Sequence, residues 1–141
     1  MEMIFIQYRF ILVPLLMWFG IQTFKVIYDR IETKQWHLSR FMGAGGMPSS
    51  HSAVVVSLAT LIGKYFGIQS PLFALSGAFA FIVMYDAAGV RRAVGKQAKV
   101  LNDILTNQKL TGVEKLQEMT GHTPIQVLTG ALIGLAGGLL F

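Results

Sequence analysis

The chain has 141 residues, of which 53% are hydrophobic and only 13% charged, and its mean hydropathy is +0.55. Those figures exclude a soluble domain of ordinary make-up and point to a chain held in a bilayer. The net charge of +5 comes from basic residues scattered between apolar segments, so no continuous nucleic-acid patch is expected, and with no cysteine there is neither a disulfide frame nor thiolate chemistry.

Residues 4–24 are apolar apart from Gln7, Arg9 and Gln22, about the 20 residues that cross the hydrocarbon core. This is the first expected span, with Arg9 snorkelling to the nearer interface and Pro14 as a kink. Residues 25–44 mix Lys25, Arg30, Lys34 and Arg40 with Tyr28 and Trp36, and are expected to lie on the membrane surface. Next comes Gly45-Gly46-Met47-Pro48-Ser49-Ser50-His51-Ser52-Ala53. The glycines let a backbone approach a ligand, and Ser49 or Ser50 can cap a helix beginning near Ser52.

An apolar run over 52–66, a turn at Gly67-Ile68-Gln69-Ser70-Pro71 and a second run over 72–85 predict a helical hairpin. Asp86-Ala87-Ala88-Gly89-Val90-Arg91-Arg92 ends it. From there to about Gln108, Val94, Ala98, Leu101 and Leu105 recur at helical spacing and predict an amphipathic helix. Thr123 as N-cap and Pro124 at the first helical position announce the last apolar helix, over 125–141. Within it Gly130, Gly134 and Gly138 repeat every four residues, a stripe read first as close packing inside the bundle.

The expected fold is therefore an all-α, polytopic transmembrane helical bundle of about four spans with interfacial amphipathic helices, one integral membrane domain over residues 1–141. With the spans so drawn, Lys25, Arg30, Lys34, Arg40, Arg91, Arg92, Lys96, Lys99, Lys109 and Lys115 fall on one side, and Arg9 and Lys64 on the other. The positive-inside tendency makes the crowded side cytoplasmic. His51, Arg91, Arg92 and His122 then share that face. Helix N-termini and guanidinium forks both favour a phosphate dianion, and two imidazoles beside it suit phosphoryl transfer. His37, beside Trp36, is expected to be a solvated side chain. No metal site is expected, since no two of the three histidines stand at the i, i+4 spacing of a helix-borne site.

Met47-Pro48-Ser49-Ser50-His51 resembles the Pro-Ser-Gly-His motif of the type 2 phosphatidic acid phosphatases and their vanadium haloperoxidase relatives. The stretch from His122 to Gly130 is similar to the same superfamily's last motif. Most closely, residues 45–53, 86–97 and 121–127 look like the signature stretches of its divergent branch of small membrane proteins. The resemblance implies that His122 is the nucleophile of a phosphohistidine and His51 the general acid. It also implies that Arg91 or Arg92, Ser49, Ser50 and the Gly46 loop hold phosphate. The lysine of the superfamily's first motif is absent here, and Lys25, Lys34 and Arg40 are the candidate substitutes for it, without its spacing.

Gln126 stands where the superfamily has an aspartate that orients the nucleophile, and Asp86 is the other candidate for that task or, equally, a partner of the arginine pair. Leu116 stands where the superfamily has an arginine. The expected activity is hydrolysis of a lipid-linked phosphomonoester or pyrophosphate, with no cofactor. A phosphorylated lipid and the bilayer are the expected partners, without nucleic acid, and a homo-oligomer is expected by analogy. Two other readings stay open: a lipid-phosphate-binding module without turnover, and a structural membrane component that oligomerises.

Overall fold

A computed structural model describes residues 2–38, 41, 43, 45–108, 113–118 and 120–141, with side chains from residue 8 onward. Arg40 and Lys109, counted above among the basic residues, lie outside the described residues. Five helices follow in order: α1 (Glu2–Thr33), α2 (Ser50–Phe66), α3 (Pro71–Ala88), α4 (Val90–Asn107) and α5 (Pro124–Leu140). Among the described residues there is no strand. α2 is central and packs against α1, α3 and α5.

The tightest seam is between α2 and α5, and the glycine stripe makes it. A side chain at Gly130 would run into the Ser49 carbonyl, one at Gly134 into the Ala53 backbone, and one at Gly138 into Ser57 and Thr60. Small residues on α5 thus let two backbones touch, which suits helix association in lipid. Two hydroxyls on α2 are satisfied within their own helix, Ser57 donating to the Val54 carbonyl at 2.9 Å and Thr60 to the Val56 carbonyl at 2.7 Å. The hairpin forms as expected, with Ser70 accepting from the Phe73 N–H and Pro71 in the first turn of α3.

The first helix differs from the sequence expectation. It does not stop at Phe24 before a surface segment but continues to Thr33. Lys25, the charge before which the span was expected to end, is turned inward, as is Asp29 one turn on: each is 8% exposed. Lys25 donates to the Gly45 carbonyl at 3.1 Å, and His37 lies 2.7 Å from Asp29. Paired charges of this kind do not need to leave the helix.

Two helical stretches, Tyr8–Thr33 and Pro71–Asn107, are long and apolar enough to cross a membrane. At 17 residues each, α2 and α5 are at the short limit for a crossing. One end of the bundle is closed by Lys64 donating to Leu139 and Tyr65 to Phe141, with Arg9 over the Tyr65 ring. The histidines lie at the end of the bundle where α2 and α5 begin.

Candidate functional site

Three backbone contacts build this end. Ser49 donates its N–H to the Gln126 carbonyl at 3.1 Å, joining the start of α2 to the start of α5. His122 donates its N–H to the Ala87 carbonyl at 2.9 Å, fixing the turn before α5 on the end of α3. Gly121, with φ +106, is pressed so closely on the Arg91–Arg92 backbone that no side chain fits there.

The result is that the His51 and His122 rings lie 5.9 Å apart between centroids, tilted by 57°. His122 is 1% exposed, and among the described residues neither of its ring nitrogens makes a hydrogen bond of good geometry, although the Gln126 side chain and the Gly46 backbone bear on the ring. Burial, and then the positive charge of Lys25 and the neighbouring His51, push its pKa down to about 4, against weaker opposition from the Gln126 side chain and the Gly46 backbone. The ring is therefore neutral at neutral pH, and a neutral imidazole is the nucleophilic form. His51 is half-buried in the first turn of α2, and its Nδ1 is buried without a partner. Arg91, Lys25 and Asp86 are within electrostatic reach of it.

The other expected site residues fall into two groups. Lys25 and Gly46 stand beside the rings, and Gly46 holds φ +86 with open space where a side chain would be. Ser49 and Ser50 are buried. The Ser49 hydroxyl accepts from the Ser52 N–H at 3.3 Å and from the Ser52 hydroxyl at 3.0 Å, so it serves as the helix cap. Its backbone N–H is engaged by Gln126 rather than turned to a ligand.

Asp86 and Arg91 bind one another, with Oδ2 2.6 Å from Nε, and both are substantially exposed. Arg92 is exposed on the next position of α4. Gln126, whose side chain also bears on the His122 ring, closes the start of α5. Its Oε1 accepts the Thr123 N–H at 2.9 Å while Thr123 accepts from the Gln126 N–H, a closed capping box. The Thr-x-x-Gln spacing carries that signal in the sequence.

Between α1, the 45–48 loop and α5 opens a cavity of about 590 Å³. Its walls include Ile21, Phe24, Met47 and Ile133 together with Lys25 and Gly46, and neither histidine lines it. Sequence reasoning did not anticipate two features here. One is the inward course of Lys25 on a helix that runs past it. The other is Asn102 on α4, which carries no motif and is recognised only by the chain segment it holds.

A family model described as the Divergent PAP2 family matches residues 6–137. The chain belongs to that family. Among relatives of the Divergent PAP2 protein, the "uncharacterized membrane protein YuiD" of Bacillus subtilis (strain 168) is 38% identical over 128 residues, covering 81% of each chain. No solved structure matches. The membrane assignment and the relationship to the phosphatidic acid phosphatases expected from the three motif stretches are thus established. This Divergent PAP2 protein places both motif histidines, from distant parts of the chain, at one end of its bundle.

Proposed function

We propose that this Divergent PAP2 family member is a membrane phosphatase that removes phosphate from a lipid-linked phosphomonoester or pyrophosphate, working at the cytoplasmic interface. The observation that carries this reading is the 5.9 Å approach of the His51 and His122 rings beside Lys25. At that spacing both rings reach one phosphoryl group. A His122 nitrogen lone pair forms the N–P bond as the P–O bond to the leaving group breaks, and protonated His51 gives its proton to the departing oxygen. Water then attacks phosphorus with His51 as base, the N–P bond breaks, and inorganic phosphate leaves.

Lys25, and the guanidinium of Arg91, counter the charge on the phosphoryl oxygens. The neighbouring cavity, walled by Ile21, Phe24 and Ile133, suits the apolar part of such a substrate. Release of phosphate from lipid phosphates by the purified protein in detergent tests this reading. His122→Ala and His51→Ala should each abolish release; release unchanged in both variants would end the proposal.

A second reading, binding without turnover, is favoured by one observation. The side-chain carbonyl of Gln126 accepts from the Thr123 N–H and the carboxylate of Asp86 is paired with Arg91, so no carboxylate among the described residues is hydrogen-bonded to His122. Retained binding of a lipid phosphate with no release would support it.

A further inference from the structure

The segment that carries His122 into the site includes residues 113–118, 120 and 121, which form no helix or strand. Its hold on the rest of the protein is concentrated on α4. Asn102 is 4% exposed and uses both ends of its amide on this segment. Nδ2 donates to the Leu116 carbonyl at 2.8 Å and to Glu118 Oε1 at 2.9 Å, and Oδ1 accepts the Leu116 N–H at 2.9 Å. The side chain thereby pairs with one residue's backbone on both its polar groups, as a neighbouring strand would. Two turns nearer the site, Gly95 has the Glu118 and Thr120 carbonyls where a side chain would be, and Gly121 lies on the Arg91–Arg92 backbone.

We propose that Asn102 is a positioning residue: by clamping residues 116–118 to α4 it sets where the following turn delivers His122 against His51. The proposal rests on the phosphotransfer reading for its catalytic consequence, though not for its structural one. Among the described residues α3 is the helix that α4 packs against, so the clamp gives α4 a task besides riding on a surface. A buried amide making three hydrogen bonds to a segment without secondary structure is an expensive arrangement to leave half-made. Small displacements of a reacting group cost rate steeply, which is how a residue outside the pocket controls turnover.

The test uses Asn102→Asp in the full-length protein. A carboxylate at 102 loses the donor to Leu116 and faces the Glu118 carboxylate, so the clamp opens at neutral pH. Adding Glu118→Gln restores a donor between the two side chains, while Glu118→Gln alone preserves the acceptor for Asn102 and should be silent. In histidine-labelled protein followed by NMR in detergent, the His122 titration should move from about 4 towards 6.5 in Asn102→Asp and move part of the way back in the double variant, which regains the bond between side chains 102 and 118 but not the donor to Leu116. Turnover should fall by about tenfold or more in kcat, with KM changed by less than about threefold, and recover in part in the double variant.

An unmoved His122 titration and unmoved kcat in Asn102→Asp, with only a lower melting temperature, would overturn the proposal. Should Asn102→Asp fail to fold, Glu118→Ala removes one bond of the clamp and must shift the titration in the same direction; no shift there overturns it too. If the wild-type protein releases no phosphate, the phosphatase reading fails by itself, and the NMR arm still decides the role of Asn102.

Discussion

The backbone N–H of Ser49 donates to the Gln126 carbonyl at 3.1 Å, and one turn along α5 the Ser49 carbonyl lies directly against Gly130. These contacts hold two helix starts together. Gly130→Ala pushes a methyl group into a carbonyl that cannot retreat without moving the loop bearing His51. It should cost about 1–3 kcal/mol as overpacking, and Gly134→Ala should behave similarly. Gly77→Ala on α3, where a side chain meets nothing, should be neutral or slightly stabilising. Thermal unfolding in detergent separates the three, and an equal response at Gly77 and Gly130 would contradict this packing.

Protonation of His122 should destabilise the fold. Its folded pKa is near 4, below the ordinary 6.5, so between those values the unfolded chain takes up a proton that the native protein refuses. Stability contributed by the neutral ring is complete above pH 6.5 and is lost progressively as pH falls towards 4, amounting to roughly 3 kcal/mol. Melting temperatures measured between pH 7.5 and 4.5 should fall less steeply in His122→Asn than in the wild type. Identical slopes would show that the ring is not held neutral.

The Asp86–Arg91 pair is half open to solvent, so its worth to stability is small, about 0–1 kcal/mol. Its larger effect should be on binding. Asp86→Asn should leave the melting temperature nearly unchanged and retain kcat, while KM shifts as Arg91 loses its anchor. A collapse of kcat would instead assign Asp86 to the chemistry.

Much of the helix layout was legible because the signals are local. Ser49 and Thr123 cap their helices, Pro124 occupies a first turn, and the 67–71 turn joins a hairpin, as neighbouring residues alone suggest. Topology brought the two histidines together in the reading for a simpler reason: an even number of crossings separates the two helix starts. The end of α1 was misjudged because Lys25 and Asp29 look like a membrane boundary until their partners, a loop carbonyl and His37, are known. Asn102 was invisible for the same reason, since its three bonds reach fourteen to sixteen residues along the chain.

Gln126 closes the capping box of α5, and this role predicts its mutational pattern. Gln126→Glu keeps the acceptor for the Thr123 N–H and should preserve stability. Gln126→Leu removes it and should cost about 1 kcal/mol. Equal losses in the two variants, read from unfolding in detergent, would place the importance of this side chain elsewhere.

The most direct measurement is capture of the covalent intermediate. Protein mixed with a radiolabelled lipid phosphate, quenched rapidly and held at alkaline pH, where phosphohistidine survives, should carry label on His122. His122→Ala should carry none, and His51→Ala should label far more slowly. Phosphate release that persists in His122→Ala, with no label on the wild-type protein, would contradict the account.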